Sequence, residues 1–259
     1  MGLVLANGDY ERKKIKGKVN WSLPIHAFQN FNPSILELGD ISKEATRFGA
    51  LAAIFDLENF TSFCNQIDPH LVIPEYLTAF LEWLFESIST EFTQKIEGDD
   101  VHLWCKLPFF GKFMGDGVLF LWKTEDLAQD VIGNIVISLH NVCNDFTESF
   151  LPQIKKTVAT PPRRLRCGIA RGQIISVGDI KDFVGPCINV ASRLQKIGKF
   201  SFAFSRRGFD LEKCFSKEAR KEYTLIKSPI RGVGDEELLY VRSEELNQLT
   251  EEERALLLP

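Results

Sequence analysis

The sequence predicts an α+β fold, a sandwich of a mixed, mostly antiparallel sheet with flanking helices. Three observations predict it. Two aromatic-rich apolar runs flank the turn Gly115-Asp116-Gly117 within Phe109–Trp122 (FFGKFMGDGVLFLW), which reads as a β-hairpin. Gly49–Asp56 (GALAAIFD) is a nearly continuous apolar run, the signature of a buried strand. Long stretches with apolar residues at helical spacing separate these strands, and hairpins set among helices exclude a doubly wound parallel arrangement.

In chain order, residues 1–48 have a polar, basic opening, then Trp21-Ser22-Leu23-Pro24 and scattered aromatics from Phe28 to Leu38, and read as an N-terminal packing arm. The strand Gly49–Asp56 ends in an acid. Leu57 to Thr61 then leads into an amphipathic helix through Phe63 and Ile67. The start of that helix turns the backbone N–H groups of Asn59, Phe60 and Thr61 outward, a place for phosphate beside the Asp56 carboxylate. Asp68-Pro69 breaks it, and a longer helix spans about Pro74 to Lys95, with Leu77, Phe80, Leu81, Leu84 and Phe85 as its core stripe. Residues 96–108 form a turn and a strand entering the Phe109–Trp122 hairpin.

A further amphipathic helix covers about Glu125 to Phe150 and ends at Pro152. Leu165–Ala170 and Gln173–Gly178, about a turn at Arg171-Gly172, read as a second hairpin. The helix Cys187–Ile197, C-capped by Gly198, projects Asn189 and Arg193 from one face because they are four apart. A strand at 200–206, a charged helix Leu211–Tyr223, and strands at Ile226–Ile230 and Glu237–Val241 complete the domain. The division expected is an arm at 1–48, a catalytic domain at 49–245 and a loosely helical tail at 246–259.

The 259 residues are 44% hydrophobic, with 21 Phe, ample for a core. A net charge of −4 argues against a general polyanion binder, and the basic clusters (Arg12-Lys13-Lys14, Arg163-Arg164, Arg206-Arg207) are short, so no nucleic-acid partner is expected. The six cysteines form no CxxC and no Cys/His pairing at zinc spacing, which favours free thiols in a reducing cytoplasm. The four histidines are dispersed. The N-terminus does not read as a signal peptide, and no apolar run reaches the ~18–20 residues a bilayer span needs. A cytoplasmic chain without membrane association is expected.

Against this background two polar residues stand out in the first hairpin, Lys112 and Asp116. A carboxylate in a tight turn between core strands costs free energy unless something pairs with it. Taken alone, Asp116 reads either as an ordinary turn aspartate or as a metal ligand.

Three segments decide between these by resemblance. FDLENFT at 55–61, KFMGDG at 112–117 and RCGIARGQIISVGDIKDFVGPCINVASRL at 166–194 are similar, in order and spacing, to class III nucleotide cyclase catalytic domains, over about residues 49–245. The resemblance implies that Asp56 and Asp116 hold two divalent cations, Mg²⁺ or Mn²⁺, with the Leu57 carbonyl assisting. Phe60 and Thr61 would face the phosphates, Asn189 would orient the ribose, and Arg193 would stabilise charge on the α-phosphate. Arg231, in Ile230-Arg231-Gly232-Val233-Gly234, falls where the family places a terminal-phosphate lysine, although the segment departs from the usual KGxG. The family's sites lie between two catalytic domains. This chain carries both halves, so a head-to-tail homodimer is implied.

Lys112 and Asp182 fall at the base-reading positions of adenylyl cyclases, which disfavours GTP. The pair leaves the base open, because adenine, cytosine and uracil can each satisfy a Lys and an Asp. A second resemblance, carried by residues 20–42 (NWSLPIHAFQNFNPSILELGDIS), Asp68-Pro69-His70 to Phe85, and GDGVLFLW at 115–122, is to the bacterial pyrimidine cyclases of Pycsar anti-phage defence. It implies UTP or CTP as substrate and a separate effector protein that senses the cyclic product. An adenylate cyclase and a catalytically silent, nucleotide-binding regulator are the alternatives.

Overall fold

The computed structural model describes residues 10–29, 31–66, 68–179 and 181–258. The chain opens with a two-stranded ribbon, β1 (Glu11–Ile15) and β2 (Lys18–Ser22), turned at Lys16-Gly17, and a short helix α1 (Ile25–Gln29). The predicted apolar run lies within β3 (Arg47–Leu57), which is buried at every position but the first. The helix expected through Phe63 is a single turn, α2 (Phe60–Phe63), and Ile67 lies outside the described residues. Helix α3 (Pro69–Phe92) starts at Pro69 rather than Pro74. Pro69 has no N–H to leave unsatisfied in the first turn, and the helix then carries Pro74 inside it. It stops at Phe92 because Thr93 is already extended.

Thr93 opens β4 (Thr93–Glu97), which among the described residues pairs only with β5 (Asp100–Leu103); the strand expected within residues 96–108 thus belongs to a separate ribbon and does not feed the next hairpin. That hairpin is β6 (Phe110–Phe113) and β7 (Gly117–Lys123), as expected. Helix α4 (Gln129–Asp145) is followed by a π-helical turn over Phe146–Phe150 and by α5 (Leu151–Ile154), which takes Pro152 into its first turn; the proline therefore does not end the helical stretch.

The second predicted hairpin does not form. β8 (Leu165–Val177) runs 13 residues straight through Arg171-Gly172. Gly172 is there for close approach, since a Cβ would lie 3.3 Å from that of Cys187. After β9 (Asp182–Val184), helix α6 (Pro186–Leu194) carries Asn189 and Arg193. β10 (Phe202–Ser205) follows, and the charged helix expected over Leu211–Tyr223 is reduced to α7 (Leu211–Cys214) and a 3-10 turn at Ala219–Glu222. β11 (Tyr223–Ile230) and β12 (Gly234–Arg242) form a hairpin. Two short helices, α8 (Ser243–Asn247) and α9 (Glu251–Ala255), close the chain, the latter started by a Thr250–Glu253 capping box.

These elements divide into two units, one holding the residues up to Arg47 with Ile175–Val184, the other Phe48–Ile174 with the residues from Gly185 onward. In the first unit, Asp179 ties the segment after α1: its N–H donates to the Leu38 carbonyl at 3.0 Å, and its carboxylate pairs with Lys43 at 2.5 Å. Thr46 and Ser176 exchange hydrogen bonds beside it, and β9 pairs with the Ile175–Val177 end of β8.

The second unit is built on a sheet ordered β11-β12-β10-β8-β3-β7-β6, in which β8 and β10 are parallel and the β3–β7, β6–β7, β10–β12 and β11–β12 pairs antiparallel. Its main core gathers Phe55 and Leu57 of β3 and Cys167 of β8 with Tyr76 and Phe80 of α3 and Ile135 and Leu139 of α4. Strand alternation turns Asp56, Arg166 and Gly168 to the opposite face. Helix α6 lies on that face: a Cβ on Gly168 would collide with the backbone of Ala191 and Gln195.

Candidate active site

The site begins with the pairing of β3 and β7. Asp56 is opposite Gly117, and the Leu57 N–H donates to the Asp116 carbonyl at 2.9 Å. Gly117 has to be glycine, because a Cβ there would run into the Phe55 carbonyl oxygen. This close approach is how the fold brings Asp56, Leu57 and Asp116 together from segments some sixty residues apart in a 259-residue chain. Asp56 is buried and Asp116 half-buried.

Burial pushes the Asp56 carboxyl above the usual carboxylate range, and the neighbouring Asp116 charge adds to the rise. Arg166 opposes both: its Nη2 donates to Asp56 Oδ2 at 2.6 Å, with side chains 17% and 5% exposed, and among the described residues its Nε has no hydrogen-bond partner. Lys196, just past α6, is close enough for its charge also to favour the Asp56 carboxylate. Two carboxylates whose charges oppose each other, with one guanidinium in place, form a site suited to a cation. Among the described residues no group of three or more His, Cys, Asp or Glu side chains gathers for a metal ion. Two carboxylates and backbone oxygens would therefore be the protein's share, with phosphate and water completing the shell, a donor set that suits Mg²⁺.

The turn after Leu57 is held by its own salt bridge, Arg164 Nε to Glu58 Oε2 at 3.0 Å, and the Glu58 N–H donates to the Arg164 carbonyl. Asn59 is left-handed, with φ 62°, which aims the chain into α2. The first turn of any helix leaves N–H groups without intrahelical acceptors, and here these belong to Phe60 and Thr61. The Phe60 ring packs 5.6 Å from Phe63, while Thr61 is exposed.

Asn189 and Arg193 lie on α6, on the sheet face that carries Asp56, and both are exposed. Among the described residues their side chains make no hydrogen bond or ion pair within this chain. Arg231 is exposed at the β11–β12 turn, at the edge of the sheet remote from β3. Lys112 is exposed on β6 opposite Leu119. Asp182 belongs to the first unit, where it opens β9 opposite Val177 and accepts a hydrogen bond from the Phe183 N–H.

The residues missed in the sequence are Arg166 and Lys196. Arg166 has a visible signal, a cation within the otherwise apolar run Leu165–Ala170, two residues before Gly168. Lys196 had none, since a lysine at a helix end is ordinary.

The chain matches no protein-family model, and no curated protein matches it in sequence. Its structure is similar to solved ones. The adenylyl cyclase CyaB from P. aeruginosa superposes with a TM-score of 0.56 at 15% identity, over 77% of this chain and 96% of that one. The guanylyl cyclase Cya2 gives 0.51 at 18% identity, over 78% and 94%. The catalytic core of a rhodopsin-guanylyl cyclase with converted specificity, in complex with ATPαS, gives 0.51 at 17% identity, over 76% and 98%. The chain therefore has the fold of the class III adenylyl and guanylyl cyclase catalytic domains.

Proposed function

We propose that this protein is a nucleotide cyclase that converts UTP or CTP to the 3′,5′-cyclic monophosphate and pyrophosphate, acting as a head-to-tail homodimer. The observation that carries the reading is the approach of Asp56 and Asp116 at the β3–β7 pairing, on the sheet face that also carries α6. Bound there, two divalent cations, Mg²⁺ or Mn²⁺, would supply activation of the ribose 3′-hydroxyl and neutralisation of the triphosphate. Asp56, Asp116 and the Leu57 carbonyl would hold them. The chain's own residues do the rest: the Phe60 and Thr61 N–H groups take phosphate oxygens, and Arg231 takes the terminal phosphate. Asn189 orients the ribose for in-line attack, and the Arg193 guanidinium meets the charge that builds on the α-phosphate.

The homodimer reading is supported by Asn189 and Arg193 being exposed and, among the described residues, unengaged within their own chain. A partner's carboxylates can then complete each site. Lys112 and Asp182 read the base edge, and the pyrimidine assignment rests on the resemblance of residues 20–42 and 115–122 to the Pycsar cyclases. In that setting the product is an antiviral second messenger in the cytoplasm, acting through a separate cyclic-nucleotide-sensing effector. Among the described residues no helix is long and apolar enough to cross a membrane.

A second reading, a silent nucleotide-binding regulator, draws on the Arg166–Asp56 ion pair, which engages one proposed metal ligand within the chain. One experiment separates the readings. Purified protein is incubated with each of the four NTPs and Mn²⁺ or Mg²⁺, and products are identified by mass. Cyclic UMP or cyclic CMP is expected. Product from ATP alone makes the chain an adenylate cyclase, and no product from any NTP leaves the silent regulator.

A further inference from the structure

The first unit carries an arm whose surface is unlike that of an isolated, solvated segment. β1 and β2 pair only with each other among the described residues, and a two-stranded ribbon by itself is marginal in water. Its register puts Arg12 opposite Trp21 and Lys14 opposite Val19, so one face presents an aromatic and an aliphatic side chain framed by cations. Trp21 is 68% exposed, and Ile25, Phe28 and Phe31 beyond it are 76%, 64% and 70% exposed. With Tyr10 and Val19 they expose on the order of 700 Å² of side chain, taking up to ~250 Å² for the largest aromatic. That approaches the ~800 Å² per partner of a standard protein interface. Apolar exposure concentrated on this scale in one short arm marks an interaction surface.

Charge identifies what covers it. Over residues 10–22 five cations (Arg12, Lys13, Lys14, Lys16, Lys18) stand against Glu11, a net of +4. The whole chain is −4, so the remainder carries −8. Two arms repel each other, whereas an arm and the acidic remainder of another copy attract. An anionic lipid surface or a nucleic acid would attract the arm but repel the rest of the molecule.

We infer that the basic, aromatic arm of β1–β2 and α1 docks on a second copy of this chain and fastens the dimer by exchange of arms. The inference rests on the homodimer reading and adds the element that holds the copies together. The ties of Leu38, Lys43 and Thr46 to Asp179 and Ser176 anchor the segment that follows the arm within the first unit.

Sedimentation velocity on the full chain, over a range of concentration and at low and high salt, tests it. Trp21→Glu with Phe28→Ser is expected to raise the dimer Kd at least about tenfold. Arg12→Glu with Lys14→Glu is expected to weaken the dimer and flatten its salt dependence. All four side chains are exposed, so the fold should hold in both variants, as read by far-ultraviolet circular dichroism. A wild-type chain that stays monomeric, or variants that dimerise as tightly as wild type, overturn the inference. So does arm-dependent binding to phosphatidylserine-containing vesicles without self-association. Cyclic-nucleotide production is read separately. A chain that dimerises through the arm yet makes no product refutes the cyclase reading and leaves the arm exchange standing. A cyclase whose self-association ignores both variants does the reverse.

Discussion

Replacing Arg166 by Met tests the centre of the site without touching a proposed metal ligand. The guanidinium meets Asp56 at 2.6 Å with both side chains largely buried. Removing one partner of a buried pair leaves an uncompensated charge and costs about 3–5 kcal/mol, much of the roughly 5–15 kcal/mol that holds a domain together. Asp56 already has a raised pKa from burial and from Asp116, so without Arg166 it protonates more readily and the loss shrinks as pH falls. The assay is urea unfolding of wild type, Arg166→Met, Asp56→Asn and the double variant. A coupling of at least about 2 kcal/mol is expected, because the double variant leaves no lone charge behind. Mn²⁺ supplies a second readout. If Asp56 is a metal ligand as proposed, Mn²⁺ competes with the guanidinium in wild type, whereas in Arg166→Met it meets a bare carboxylate. Saturating Mn²⁺, worth about 2.7 kcal/mol at a hundredfold excess over Kd, should therefore stabilise the variant more than wild type. Additive free energies in the cycle, together with equal Mn²⁺ stabilisation, would falsify the placement of Arg166 as the internal counter-ion of Asp56.

Further outcomes follow from single residues. Asp116→Asn should abolish turnover while the chain stays folded and dimeric by sedimentation; full activity in this variant removes the metal role. Gly117→Ala should destabilise the fold by about 3 kcal/mol or more and cost activity with it, since the new methyl meets the Phe55 carbonyl; an unchanged urea midpoint contradicts that packing. Lys112→Ala should alter the ratio of products from competing NTPs more than the Mn²⁺ requirement, and the reverse result takes Lys112 out of base recognition. Buried His140, whose Nδ1 lies 3.0 Å from the Tyr223 hydroxyl, has a pKa lowered to about 4 by burial and by Arg242. The native state then binds fewer protons than the unfolded chain between about pH 6.5 and 4. Stability from this residue is complete above that window, and about 3 kcal/mol is lost as pH falls through it. Urea midpoints across this range should flatten in His140→Asn, and an unchanged slope shows that the histidine is charged in the fold.

Much of this protein is written locally. The run Gly49–Asp56 reads as a buried strand because nothing polar interrupts it before Asp56, and Gly115-Asp116-Gly117 reads as a hairpin turn because its flanks are apolar on both sides. Asn189 and Arg193 share a helix face by spacing alone. Residues whose meaning lies in distant contacts carry misleading local signals or none. Gly172 looked like a turn and is a contact glycine under Cys187 in an unbroken strand, and Pro152 looked like a stop and sits in a first helical turn. Local sequence specifies what a backbone prefers, but the use made of a missing Cβ or N–H depends on what packs against it.

The sequence by itself determined the α+β class and singled out Asp56, Asp116, Asn189 and Arg193 as candidates, because each is carried by a local pattern or a short motif. Only the tertiary structure decided that Asp56 and Asp116 meet through the Gly117 close approach, and that Arg166 stands between burial and the Asp56 charge. It also left the basic arm with its aromatic face in solvent. The physical reason is the same throughout: a carboxylate's charge and an apolar side chain's cost are set by neighbours that the chain brings close only when it folds.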